Sequence, residues 1–488
     1  MNLEGQKVIS ATEMARIEKA SIEGGASADA YMQKAGNAIA HHIKAFKIDQ
    51  ITLLVGKGNN GGDAFVAGCA LLEQKYAVHA LTCFEKSVCS PLCQKYWQRF
   101  LELGGVIVDT MPTEGLILDG LLGTGFNGEV KEPILSVIKA ANASELPIVS
   151  VDIPSGLCGN TGKVSNHAIV ADYTCFLGMP KVGFFLGDGM NHIGTLAGCD
   201  FGLPESFADN ARAEGYLLNE EILPSLLPPM KRTRHKYEAG YIVALAGSPG
   251  MPGAAMMSCM AAYRTGAGII RLFHPEGMDS EFASGPKELV RSTWSSQSYE
   301  LLLQEKKRAQ ALLIGPGLGR TEEACDVMNK LIENLDVPAV IDADGLYWLA
   351  KAKRVFSTPV ILTPHYKEMK ELLAGEPSLK ACQLYANEVN ATVVLKGAPT
   401  WIFHPNSPPL IMDRGCPGLA TAGTGDVLAG ILAALLAQGL KGREAASLGT
   451  WLHALCGELV SLDKTDYGMV ATDLIEALPE VLAEILSE

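Results

Sequence analysis

The 488-residue chain is short of basic side chains: 40 Lys and Arg stand against 54 Asp and Glu, a net charge of −14 at pH 7. Nucleic acid and anionic membrane both reward clustered cations, so neither is expected as a main partner. Long apolar runs are scarce too. Among the most apolar stretches is VLAGILAALLAQGL, Val427 to Leu440, too short to span a bilayer comfortably and interrupted by Gly430, Gln438 and Gly439. The opening MNLEGQKVISATEMARIEKA holds no apolar core of a signal peptide, and a soluble, cytoplasmic protein is expected. The 12 cysteines form no C-x-x-C pair, the closest spacing being Cys89 to Cys93. That argues against a zinc framework and against a secreted disulfide scaffold. Several, such as Cys175 in YTCFLG, lie in apolar runs and read as small core residues.

What is present is material for a large core, with 48% hydrophobic and 19% charged residues. The length suits about three average domains or two larger ones. Short β-branched runs alternate with helical stretches in two series. The first, opened by SATEMARIEKA with Ser10 and Glu13 at capping-box spacing, runs through ITLLV, VHALTC, VIVD, LILDG, PIVSVD and IVADYTCFLG. The second runs from GYIVALAG through GIIRLF, ALLIGPG, PAVIDADG, PVILTPH and TVVLKG into three closing helices. Such alternation predicts two mainly parallel sheets covered by helices, with ligands at the carboxyl ends of the strands. The proline-punctuated, charged stretch near residues 205–220 separates them, giving domains 1–212 and 213–488. No sequence repeat links the halves.

The first chemical signal is GKGNNGGDAF, Gly56 to Phe65, directly after ITLLV. Gly56, Gly58 and Gly61 read G-x-G-x-x-G, a weak fingerprint of a dinucleotide turn. Asp63 sits in the same turn, where a carboxylate would repel a phosphate but would cap the helix well. Glu85 lies about where a ribose-binding acid belongs, so that test does not decide. Two more strands end in acids: LILDGLLGTGFNGE at Asp119, followed by the turn Gly123 to Glu129, and PIVSVDIPSG at Asp152, followed by Ser155. In a parallel sheet these ends converge with Asn59 and Asn60. Oxygen ligands from Asn, Asp and Ser suit a hard cation, and a second free carboxylate could serve as acid or base. Each aspartate alone is better explained as a cap of a helix or turn; three together are harder to explain that way.

GNNGGD, DGLLGTGFNGE and VDIPSG, in this order, resemble the NAD(P)H-hydrate epimerase family, and the likeness covers residues 1 to about 210. The resemblance implies a Rossmann-like three-layer domain that holds a damaged nicotinamide cofactor as substrate. It implies a potassium ion (K+) on Asn60, Asp119 and Ser155. Substrate contacts would come from Asn59, Asn60, Gly61, Gly62 and Asp63, from Gly123, Thr124, Gly125, Phe126, Asn127, Gly128 and Glu129, and from Asp152, the proton-transfer carboxylate. Ala64 stands where many relatives carry glycine.

In the second half, CPGLATAGTGDVLAG, Cys416 to Gly430, turns tightly at Gly423 and Gly425 into a helix whose first N–H groups can hold a phosphoryl anion. Asp426 stands at its mouth, as base or as plain helix cap. This G-x-G-D segment resembles the ribokinase-like fold. With HKYEAGYIVALAGSPGMPGAA, IGPGLG, IDADGL, LTPHYKE and LKGAPT it is similar to the NAD(P)H-hydrate dehydratases. The resemblance implies that Ala254, Gly317, His365 and Asp426 contact the hydrated cofactor. Lys396, Gly397, Ala398, Pro399, Thr400 and Gly425 would contact the adenine nucleotide. Cys416 and Leu419 depart from the Asn and Met of many relatives. His365 is also a common strand-end residue, and the basic run Lys231 to Lys236 reads equally as a solvated linker. Asp342 and Asp344 could organise magnesium through water or cap the next helix.

The two likenesses point to one small molecule. The expectation is a bifunctional α/β enzyme, a homo-oligomer, that epimerises hydrated NAD(P)H at C6 and dehydrates the S form with Mg2+ and ADP. Three rivals stand beside it: a nicotinamide-dependent dehydrogenase, for which no hydride-transfer constellation is visible, a small-molecule kinase, and a noncatalytic scaffold.

Overall fold

The computed structural model describes residues 2–487. It divides into two compact units, Lys7–Gly215 and a second made of the N-terminal residues through Gln6 with Tyr216–Glu488. The first unit carries a seven-stranded, wholly parallel sheet. Its order is Val106–Val108, Ala77–Thr82, Gln50–Val55, Leu116–Gly120, Ile148–Val151, Tyr173–Leu177 and Thr195–Cys199. Gln50–Val55 and Leu116–Gly120 are the central pair, and nearly every residue in them is buried, as strands covered on both faces must be. One face is sealed by helices Ala28–Ile43, Asn59–Glu73 and Pro91–Glu102, with Phe65, Trp97 and Phe100 interlocked beneath them. Helix Ile134–Asn142 covers the other. The order of strand addition switches at Gln50–Val55, with Ala77–Thr82 laid on one side of it and Leu116–Gly120 on the other, and the loops that leave the carboxyl ends of the central pair gather there.

Ser10 caps helix Ala11–Glu23 by accepting the Glu13 N–H at 3.0 Å. The reciprocal half of the expected capping box is absent. The Glu13 carboxylate instead binds the Arg16 guanidinium and accepts the Arg212 N–H at 2.8 Å, and these contacts hold its pKa down at about 2.

The second unit is built on an eleven-stranded sheet. Its parallel body runs Thr392–Leu395, Val360–Leu362, Ala339–Ile341, Ala311–Ile314, Tyr241–Leu245, Ile269–Pro275 and Val290–Trp294. Beyond Thr392–Leu395 the sheet continues through antiparallel Thr400–Phe403 and Leu410–Met412, then Ala213–Leu218 and Glu4–Ile9. The sequence reading placed residues 1–212 together, whereas the strand Glu4–Ile9 joins the sheet of the other unit. The short, half-polar EGQKVI carries little strand signal, and its partner is remote in sequence. The core of this unit centres on Thr424–Ala437, a helix buried along its length, packed between helices Pro252–Arg264 and Gly442–Gly468. Among the described residues no helix is long and apolar enough to cross a membrane.

Candidate active sites

In the first unit the loop after Gln50–Val55 enters helix Asn59–Glu73 with Gly58 at the N-cap. It meets the second glycine turn backbone to backbone: a Cβ on Gly56 would lie 1.8 Å from the Leu121 carbonyl oxygen, so no side chain fits. The Asn60 side-chain amide donates to the Leu122 carbonyl at 3.0 Å, and Ser155 Oγ accepts the Leu122 N–H at 2.8 Å. Three loops are thereby pinned together over Asp119, which is completely buried. Asp119 accepts hydrogen bonds from Ser155 Oγ at 2.5 Å, the Ser155 N–H and Ser150 Oγ at 2.9 Å each, and the Leu121 N–H at 3.2 Å. Burial raises its pKa against these bonds, and no Lys or Arg pairs with it among the described residues. A buried carboxylate with no cation, bonded to Ser155 beneath loops that Asn60 helps to pin, offers oxygen donors of the kind that fit a hard cation.

Above these loops opens a cavity of about 580 Å3, within the range of small-molecule sites. Asn59, Asn60, Asp63, Gly123, Thr124, Gly125, Phe126, Asn127 and Asp152 line it. Gly61 and Gly62 face inward, against Gly56 and Met32, and Gly128 and Glu129 are exposed and outside the lining. Asp152 has a left-handed φ of +62° and sits just beyond Ile148–Val151. Its Oδ1 pairs with the Lys181 ammonium and accepts the Leu177 N–H at 3.0 Å, while Lys181, wholly buried, also donates to the Leu177 carbonyl at 2.8 Å. Sequence reasoning missed Lys181, and the signal was available: a single cation in the apolar run GMPKVGFF must be buried and must have a partner. It also missed Glu18, which lines the same cavity.

In the second unit Gly423 adopts φ +94° as the N-cap of Thr424–Ala437, a conformation that favours glycine. The cap position is therefore taken. Asp426 accepts no hydrogen bond from the described residues, so it is not serving as the helix cap. It lies half-buried beside Lys396, and burial, with repulsion from Asp342, lifts its pKa to about 7. Lys396 Nζ donates to Asp342 Oδ1 at 2.8 Å, Thr363 Oγ1 donates to the same oxygen at 2.7 Å, and a Cβ on Gly425 would meet Nζ at 3.3 Å. The Lys396 N–H reaches the Pro364 carbonyl at 2.8 Å, bringing Lys396 beside His365. The turn Gly397–Ala398 is exposed, Pro399 is buried, and Thr400 Oγ1 closes the hairpin on the Gly397 carbonyl at 3.2 Å. Ala254 and Gly317 touch, since a Cβ on Gly317 would lie 3.0 Å from Ala254 Cβ.

Two ambiguities of the sequence are decided by contacts. His365 is the N-cap of helix Tyr366–Leu373: its Nδ1 accepts the Lys367 and Glu368 N–H groups, and Glu368 accepts the His365 N–H at 2.8 Å. Asp342 and Asp344 are not caps. The first pairs with Lys396, and the second binds Arg320 at 2.8 Å and the Gly319 N–H at 2.9 Å. His453, unremarked in the sequence, lies half-buried beside the glycine turn at Gly423–Gly425. Its Nε2–H donates to the Thr424 carbonyl at 2.9 Å, and burial lowers its pKa to about 4, so the ring is neutral. The 12 cysteines are all free thiols.

Two family models match the chain: one described as NAD(P)H-hydrate dehydratase over residues 242–480, the other as YjeF-related protein N-terminus over residues 28–183. A bifunctional NAD(P)H-hydrate repair enzyme from Moorella thermoacetica is 31% identical, the alignment covering 99% of this chain and 97% of that one. One from Gloeobacter violaceus is 32% identical with 98% of each covered. Among solved structures, a ribokinase-like superfamily protein from Enterococcus faecalis V583 superposes with a TM-score of 0.51 at 28% identity, over 55% of this chain and 95% of that one.

Proposed function

The chain belongs to the bifunctional NAD(P)H-hydrate repair enzymes, pairing an epimerase domain with a dehydratase domain, and on that premise we propose how its residues divide the work. The first unit interconverts the C6 epimers of hydrated NAD(P)H with Asp152 as the proton-transfer carboxylate. Asn59, Asn60 and Asp63 with Gly123 to Asn127, the loop residues that line the cavity, hold the dinucleotide. Asn60, Asp119 and Ser155 would hold potassium, which when bound supplies the positive charge that buried Asp119 lacks.

The second unit dehydrates the S epimer at the expense of ADP. Asp426 takes the C6 hydroxyl proton as that oxygen attacks the terminal phosphoryl group of the nucleotide. The N–H groups after Gly423 face the charge that develops on that phosphoryl group. Loss of phosphate from C6 and of a proton from C5 then restores the double bond, releasing AMP and phosphate. Lys396 to Thr400 and Gly425 contact the nucleotide, and Ala254, Gly317 and His365 the hydrated ring. Among the described residues no three His, Cys, Asp or Glu side chains form a metal-binding group. Magnesium would come with the nucleotide, on its phosphates. A homo-oligomer acting on free cofactor in the cytoplasm is the setting this reading expects.

The observation that carries the reading is Asp426: a carboxyl that accepts no hydrogen bond from the described residues, lifted to about 7, at the N-terminal turn of a buried helix. An equilibrated mixture of hydrated NADH epimers, mixed with protein, magnesium and ADP, tests it through the return of the reduced nicotinamide's near-ultraviolet absorbance. Wild type recovers the whole mixture, Asp152→Asn promptly recovers only the S fraction, and Asp426→Asn recovers none. No recovery with ADP or ATP would overturn the reading in favour of a kinase.

A further inference from the structure

Carboxylates in the cavity of the first unit outnumber the cations that could neutralise them. Glu18 from helix Ala11–Glu23, Asp63 from helix Asn59–Glu73 and Asp152 all line it. Buried Lys181 is committed to Asp152 and to the Leu177 carbonyl. Lys57, exposed at the rim, stands over the Phe84 ring at 5.3 Å and forms no ion pair among the described residues.

Asp63 is the anomaly. It is only 7% exposed, it faces the cavity, and no group among the described residues donates a hydrogen bond to its carboxyl. A buried carboxylate in that position is expensive unless it holds a proton. Every neighbour pushes the same way. Burial raises its pKa well above the carboxylate range, and the charges of Asp152 and Glu18 add to the effect. Cys93, which faces it from helix Pro91–Glu102, has its own thiol pushed up to about 12 and offers no charge. The cavity therefore presents one carboxylate paired with Lys181 and one carboxyl without a partner that burial drives to keep its proton, an unlike pair of the kind by which an enzyme assigns a base and an acid to two like groups.

We propose that Asp63 is a second catalytic residue of the epimerase, delivering the proton that Asp152 cannot. The proposal rests on the epimerase reading above. In the hydrated ring, C6 bears both the hydroxyl and the ring nitrogen N1. Asp152 accepts the hydroxyl proton, and the O–H pair becomes the second bond of a carbonyl at C6. The C6–N1 bond breaks with its pair on N1, which takes the proton of Asp63. Rotation presents the opposite carbonyl face. N1 then returns its proton to Asp63 as it re-forms the bond to C6, and the oxygen recovers its proton from Asp152. Nothing is consumed, and only the configuration at C6 changes.

The test uses the full chain carrying Asp63→Asn, which keeps the shape and removes the transferable proton. Epimer interconversion is followed without ADP, and dehydration of the S epimer with ADP reports that the chain is folded. The expected result is an epimerase kcat lower by about 100-fold or more, KM within about threefold because a shape-preserving change leaves uniform binding nearly intact, and retained dehydratase activity. Wild-type kcat should fall on the alkaline side as Asp63 loses its proton, and the variant's residual rate should lack that limb. The wild-type profile does not depend on any variant folding, and a flat alkaline range would overturn the proposal. So would a variant with wild-type kcat, or one whose lower kcat keeps the same alkaline limb. Wild type without any epimerase activity would instead sink the underlying reading, and this inference with it.

Discussion

The dehydratase rate should titrate with Asp426, and the charges around it fix by how much. With its pKa at about 7, only about a tenth of the protein carries the ionised base at pH 6. The acid limb of kcat/KM, which reports the free enzyme, should therefore fall about fivefold from pH 7 to pH 6 and about tenfold per unit below. The perturbation is Asp342→Asn. Asp342 contributes the largest charge repulsion on Asp426 and at the same time occupies Lys396 at 2.8 Å. Removing its charge takes away the repulsion and frees the ammonium to attract Asp426. Both changes favour the ionised base, so the limb moves to lower pH. Loss of one neighbouring charge and release of another shift a half-buried carboxyl by about one to two pKa units, or roughly 1.4–2.7 kcal/mol. At pH 6 the variant should then keep between about half and nine-tenths of its own plateau rate, against about a tenth for wild type. The assay is initial-rate recovery of reduced nicotinamide from purified S epimer with saturating ADP and magnesium. The plateau itself is free to drop, because the argument concerns the midpoint. Superimposable acid limbs would refute the electrostatic account, and a wild-type rate flat from neutral into the acid range would remove Asp426 as the base.

Lys181→Met should lower epimerase kcat by at least about 100-fold while sparing dehydration, and the broken buried pair should cost about 3–5 kcal/mol in denaturant unfolding; an unchanged midpoint would contradict the ion pair. His453→Phe removes the donor to the Thr424 carbonyl. It should destabilise by about 1–3 kcal/mol and slow dehydration about tenfold with epimerisation intact, as separate rate measurements on the two reactions would read. Glu13 carries a lowered folded pKa, about 2 against the usual 4.5. Its stabilisation is therefore complete above pH 4.5 and disappears as pH falls toward 2. Glu13→Gln should melt lower than wild type at neutral pH, by about 1 kcal/mol after screening of the exposed Arg16, and the gap in Tm should close on acidification.

How far the sequence could be read depended on whether a signal was local. GYIVALAG, ALLIGPG and TVVLKG announce their own strands, and glycine runs announce the turns that follow. So the parallel bodies of both sheets, and the convergence of Asn60, Asp119 and Asp152, are legible in the letters. The edge strand Glu4–Ile9 is not, because its reason for being a strand is a partner two hundred residues away. The same distinction explains the sites. Asp152 and Asp426 can be picked out by the motifs around them, but the charges that surround each come from afar: Lys181 for one, Asp342 and Lys396 for the other. Motif and environment need not agree, and Asp63 and His365 are where they part. Spacing presents Asp63 as a helix cap, yet Gly58 holds that position and Asp63 faces the cavity without a hydrogen-bond donor among the described residues. His365 reads as a ligand at a strand end, yet its ring nitrogen is occupied by capping the helix that follows. A polar residue excused from structural duty is thus the better candidate for chemistry than one that merely stands near it. By that criterion, losing Asp63 should cost the epimerase rate far more than it costs the fold, whereas losing His365 should lower the melting temperature at least as visibly as it slows dehydration.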